Sequence, residues 1–161
     1  MTNKRDFVDG VLEFNRAAGR PEQFDARQVA LHTGLQIEEL AEKLDAIYKG
    51  AYNEYMKLNA WQLKHYVKEL QALSAQFKKG AYDDLVTNAS RVDLLDADID
   101  ICAVSVGSMM TSGADVKGAM GEVNRSNLDK LVDGKAVFDE NKKIQKPAGW
   151  RAPNLAPYIG S

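Results

Sequence analysis

Glu38-Glu39-Leu40-Ala41-Glu42 and the stretch Val92-Asp93-Leu94-Leu95-Asp96-Ala97-Asp98-Ile99-Asp100 are the two places where carboxylates gather densely enough to do chemistry. With oxygen ligands only, the ion they would hold is a hard one, Mg²⁺ or Mn²⁺, and not zinc or copper. A carboxylate cage that leaves coordination positions open is the usual way of gripping substrate phosphates. In helical projection with Leu40 as origin, Glu38, Glu42 and Asp45 fall between about 140° and 200°, opposite a stripe of Leu44, Ile47, Ile37 and Ala41. Glu39 lies to one side. An acidic stripe of this kind is common on any solvated helix, so the first cluster alone carries little.

The second cluster says more. Leu95, Ile99, Cys102 and Val106 line one flank of a helix and Leu94, Ile101 and Val104 the other, so both flanks are expected to be buried. Between them Asp93, Asp96, Asp100, Ala103 and Gly107 share a face, while Asp98 points the opposite way. Carboxylates in an otherwise apolar helix repel one another and lose hydration unless a cation compensates. The bland alternatives are a wet groove between helices, or acids paired with Lys57, Lys64 or Lys68. A third set, Asn124, Asn127 and Lys130, puts two amides and a cation at three-residue spacing, which can bind phosphate oxygens. A polar helix end often looks the same.

The elements that must position these groups read as helices. Apolar periodicity predicts a first helix over about residues 4–18 and a second from an N-cap at Asp25 to about Tyr48. Residues 51–78 predict one long helix or two stacked ones. A fourth helix starts between 82 and 90 and runs to about Thr111, and a fifth covers about 116–131. Beyond it, Asp133-Gly134, Lys146-Pro147, Ala148-Gly149 and Ala152-Pro153 are turn dipeptides, and 132–161 reads as a mostly irregular tail. The expected fold class is all-α: a single domain spanning 1–161, built as a bundle of about five helices.

Composition narrows the function. Lysine plus arginine (21) nearly balances aspartate plus glutamate (23), so no whole-protein field favours nucleic acid or an anionic membrane. The lone Cys102, with only His32 and His65, supplies neither an intramolecular disulfide nor a structural zinc site. A Cys102 nucleophile is disfavoured by its place in an apolar flank. The N-terminus lacks a secretory pattern and no apolar run approaches a membrane span, so a cytoplasmic protein is expected.

Four segments together make the chain recognisable: Val11-Leu12-Glu13-Phe14-Asn15-Arg16-Ala17-Ala18-Gly19-Arg20-Pro21, Glu38-Glu39-Leu40-Ala41-Glu42, Asp96-Ala97-Asp98-Ile99-Asp100-Ile101, and Glu122-Val123-Asn124-Arg125-Ser126-Asn127-Leu128-Asp129-Lys130 followed by Asp133-Gly134-Lys135. In this order the chain resembles the all-α NTP pyrophosphohydrolase superfamily: MazG, dimeric dUTPases, dCTP pyrophosphatases and phosphoribosyl-ATP pyrophosphohydrolase. It is most similar to the short phage and bacterial MazG-like members. The resemblance implies hydrolysis of the bond between the α- and β-phosphates of a nucleoside triphosphate. The substrate would be a purine deoxynucleotide, dGTP or dATP, in the host cytoplasm if the chain is phage-encoded.

By the same resemblance, Glu39 and Glu42 match the first pair of metal ligands, Asp100 the aspartate of the second motif, and Glu38 the acid that orients or deprotonates water. Asn124, Asn127 and Lys130 would hold phosphates, and Asn15, with an aromatic such as Trp61, would lie near the sugar or base. Position 97 is Ala where the family motif carries Glu, which shifts that role to Asp96. The resemblance also implies a homodimer or homotetramer, to which the apolar and aromatic face of residues 52–77 would contribute. Two other readings stay open. One is a nucleotide-binding or regulatory protein of the same fold with weak catalysis. The other is a helical module contacting nucleic acid through Trp61, Tyr66 and the lysines of 57–79, which the net charge of −2 argues against.

Overall fold

The computed structural model describes residues 6–140 and 143–160. The fold is all-α, with seven helices among the described residues: α1 (Phe7–Ala17), α2 (Ala26–Lys49), α3 (Glu54–Asn59), α4 (Trp61–Lys79), α5 (Asp83–Asn88), α6 (Arg91–Thr111) and α7 (Val116–Leu128). No helix among them is long and apolar enough to cross a membrane. The chain, expected as one domain, divides into two compact units, Gln23–Ser90 and the combination of Met1–Glu22 with Arg91–Ser161.

In the Gln23–Ser90 unit α2 begins where the sequence places it, with the Asp25 carboxylate accepting from the Gln28 N–H at 3.0 Å. The stretch expected as one helix or two is two, α3 and α4. Gly80, at φ 87°, closes α4 in a left-handed turn whose N–H donates to the Phe77 carbonyl. Arg27 reaches from α2 to the Phe77 and Lys78 carbonyls at that same end and lies 3.7 Å from Asp83 of α5.

The contact of α2 with α4 runs through small residues. Ala30, Gly34 and Ala41 are buried on α2, and Val67 and Ser74 on α4; of the expected apolar stripe Ala41 is buried and Ile37 and Leu44 half-buried, while Leu40 and Ile47 are exposed. Ser74 Oγ donates to the Gly34 carbonyl at 2.7 Å. A Cβ at Gly34 would meet Lys78 Cγ at 2.9 Å and both Phe77 Cβ and the Ser74 carbonyl oxygen at 3.0 Å. The glycine therefore sets how closely the helices approach. We expect Gly34→Val to destabilise this unit by about 2 kcal/mol or more, read as a lower denaturation midpoint, because a backbone oxygen cannot give way as a side chain can.

In the other unit α1 lies against α7, and α6 packs on α7 with Gly107, Ser108 and Met109 half-buried. The expected burial of both α6 flanks does not occur: no residue of α6 is buried, and Leu95, Ile99 and Val104 are 61%, 58% and 73% exposed. Packing on α7 near its C-terminal end leaves most of this apolar helix exposed among the described residues. The region expected as a fourth helix breaks at Ala89 and Ser90 into α5 and α6, and the fifth helix ends at Leu128. The tail is less irregular than expected. Strands β1 (Leu131–Val132) and β2 (Lys135–Ala136) form an antiparallel hairpin, with positive φ at Asp133 and Gly134 as a tight Asp-Gly turn requires.

Candidate functional site

On α2 the three glutamates have different surroundings. Glu38 is half-buried and accepts from Lys78 Nζ at 2.9 Å, so its carboxylate is oriented by α4. The lysines considered from sequence were Lys57, Lys64 and Lys68; the one that pairs is a turn or more further along. Glu39 and Glu42 are exposed. The Glu39 carboxyl is raised above its usual pKa by loss of water and then by the negative charges of Glu42 and Glu38. Such a carboxylate would gain from a nearby cation.

On α6 Asp96 and Asp100 are exposed on the helix surface, one turn apart, and belong to the other unit. Each helix thus offers solvent-facing carboxylates, Glu39 and Glu42 on α2 and Asp93, Asp96, Asp98 and Asp100 on α6, whose oxygen chemistry suits Mg²⁺ or Mn²⁺. Among the described residues no three His, Cys, Asp or Glu side chains are gathered into a ready metal cage.

The phosphate set of α7 separates. Asn124 is buried, and its amide nitrogen donates to the Phe7 carbonyl at 3.0 Å and, at the limit, to that of Asp6 at 3.5 Å. Gly10 leaves it room, since a Cβ there would lie 2.2 Å from the Asn124 amide nitrogen. In this structure Asn124 ties α7 to the start of α1. Asn15 donates to the Val11 carbonyl within α1 at 2.9 Å. Trp61 is exposed at the start of α4. Asn127 and Lys130 do meet: Lys130 Nζ donates to Asn127 Oδ1 at 2.8 Å and lies 5.8 Å from the Phe14 ring centre.

Sequence reasoning missed Lys146 and Trp150, which reach the same place. Trp150 Nε1 donates to the Ser126 carbonyl at 2.7 Å, Ser126 Oγ donates to the Arg151 carbonyl at 3.1 Å, and the Asn154 N–H donates to Glu122 Oε1 at 2.9 Å. Residues 150–154 therefore lie as a strap along α7. Lys130 and Lys146 have their ammonium groups 5.7 and 4.4 Å from the Trp150 ring centre. The usable signal was a tryptophan in a turn-rich tail, since its large ring and single N–H donor need a fixed seat.

Glu122 anchors the strap. Its carboxyl is held down to about 2, first by the hydrogen bonds from Arg125 and then by the Asn154 N–H. A depressed carboxyl contributes stability above its ordinary value near 4.5 and loses it as pH falls through the folded value. The Glu122 contribution to holding the strap should be present at pH 5 and lost between about pH 4.5 and 2, visible as weaker protection of the Trp150 indole N–H in NMR. Compared with family models, curated proteins and solved structures, the chain matches none at a significant level.

Proposed function

We propose that this chain is a Mg²⁺-dependent nucleoside triphosphate pyrophosphohydrolase of the MazG-like kind, cleaving a purine deoxynucleoside triphosphate to its monophosphate and pyrophosphate. The observation that carries the reading is the division of chemistry over the surface. Open carboxylates stand on α2 and α6, and at the end of α7 stand Lys130 and Lys146, while the acids of α7, Glu122 and Asp129, are paired with Arg125. Acids suit a metal and lysines suit phosphate, and a metal-bound triphosphate needs both.

Glu39 and Glu42 on α2, and separately Asp96 and Asp100 on α6, are each assigned as metal ligands; an ion so bound would neutralise phosphate charge and acidify water. Glu38, kept in place by Lys78, is assigned to orient or deprotonate the attacking water. Asn127 and Lys130 bind phosphate. The second reading, a nucleotide-binding protein with weak turnover, draws on Ala97 and on the absence of a preformed three-acid group among the described residues. Incubation with each dNTP and Mg²⁺, followed by assay of pyrophosphate against orthophosphate, separates the two; tight binding without turnover would favour the second.

The active form is assigned as a homo-oligomer joined through α6. Val92, Leu95, Ile99, Cys102, Val106 and Met109 recur at alternating three- and four-residue steps, the seam of a coiled coil. All of these except Met109 are exposed. Full burial of one aliphatic side chain corresponds to about 60–120 Å², so this helix offers on the order of 400 Å² of uncovered apolar surface. Two copies, with their polar margins, reach the roughly 1,200–2,000 Å² of a stable interface.

A further inference from the structure

Lys130 and Lys146 approach one tryptophan ring from separate parts of the chain, α7's C-terminal end and the tail, and among the described residues neither has a carboxylate within ion-pair distance. The carboxylates nearby on α7, Glu122 and Asp129, are engaged by Arg125, at 2.7 and 2.6 Å. Two like charges brought together without a counter-charge cost free energy in the empty protein. In keeping with this, Lys130 sits below its usual pKa, through loss of water and then through the charge of Lys146. Cation–π contact offsets part of that cost but leaves the positive field in place.

The geometry is also fixed. The Trp150 ring is pinned by its N–H to the Ser126 carbonyl, and Lys130 spends one of its three N–H donors on Asn127 Oδ1, leaving two for a ligand. Phe14 borders the same ammonium from α1.

We propose that Lys130 and Lys146, set against Trp150, form a diphosphate-binding corner that takes the β- and γ-phosphates of the nucleotide, with Lys146 supplied by the tail strap. This rests on the pyrophosphohydrolase reading for the nucleotide, but the corner itself is defined by its anion chemistry. A dianionic or more highly charged phosphate ligand supplies the counter-charge that both lysines lack. The tail is then part of the binding machinery.

The test is calorimetric titration of the full-length protein with inorganic pyrophosphate, without nucleotide. Lys146→Met keeps the aliphatic stem over the Trp150 ring and removes only the charge, so the strap should stay docked. It is expected to weaken pyrophosphate binding by about tenfold to a hundredfold, the value of one charge-assisted contact. Lys146→Arg should retain most of the affinity, and Lys117→Ala, an exposed change elsewhere on α7, should leave it unaltered. If Lys146→Met binds pyrophosphate as the unaltered protein does, or if the unaltered protein binds none, the proposal is overturned. A purely structural clasp would shift the melting temperature and leave binding unmoved, which also overturns it. Binding that depends on Lys146 in a protein that turns over no nucleotide would support the corner while contradicting the enzymatic reading.

Discussion

Replacing Glu42 or Asp100 by Ala should lower nucleotide turnover by about a thousandfold or more while leaving helicity unchanged. Both side chains are exposed and neither is needed for packing, so a loss of activity in a folded variant would report on the metal alone. Asp96 and Asp98 make the sharper comparison. They are two residues apart on α6, and 200° of helical turn puts them on nearly opposite faces. Asp96→Ala should follow Asp100→Ala in its effect, whereas Asp98→Ala should cost little. Steady-state rates with the best dNTP and saturating Mg²⁺ decide this; equal losses at 96 and 98, or near-normal rates for the Glu42 or Asp100 variant, would remove the ligand assignment.

The second large effect is on assembly. A charge in the middle of the α6 seam, as in Ile99→Asp, should convert the oligomer to monomer in sedimentation velocity at micromolar concentration. A buried unpaired carboxylate at each of two facing positions costs several kcal/mol. Cys102 gives an independent readout without mutation. It is exposed near the midpoint of the helix, so pairing of two α6 helices brings the two thiols within reach of a short bismaleimide. Cross-linked dimer should form in the unaltered protein and be absent in Ile99→Asp. A monomer at all concentrations, uncross-linked, would show that α6 is covered by something other than a second copy.

The sequence spoke most clearly where a local signal decides the outcome. Asp25 starts α2, Gly80 ends α4 and Asp133-Gly134 turns the hairpin, because each depends on a cap or a positive φ that neighbouring residues alone specify. Burial was harder to read. Of the predicted stripe Ala41 is buried but Leu40 and Ile47 are not, because the helix contact is centred on Ala30, Gly34 and Ala41, where close backbone approach rewards small residues and Ser74 bonds across it. On α6 apolar periodicity predicts two buried flanks, yet no residue of the helix is buried, since periodicity marks an apolar face without saying what covers it.

The site divides in the same way. The acids could be listed from their spacing, but the loss of hydration expected of them on α6 does not occur, because Asp93, Asp96 and Asp100 are exposed. Asn124 was grouped with Asn127 and Lys130 by spacing alone, and its amide is engaged by Phe7, more than a hundred residues away in sequence. Lys146 and Trp150 lay in a segment that spacing rules describe only as turns. Their place beside Lys130 depends on hydrogen bonds that Ser126 Oγ and Arg125 donate to the strap and that the Ser126 carbonyl and Glu122 accept from it, which no periodicity encodes.

The most direct measurement is ³¹P NMR of dGTP and, separately, dATP incubated with the protein and Mg²⁺. The triphosphate signals should disappear with equal appearance of a deoxynucleoside monophosphate and pyrophosphate, a conversion abolished when Mg²⁺ is chelated. Release of orthophosphate with a diphosphate product, or a spectrum that stays unchanged with every nucleotide, would contradict it.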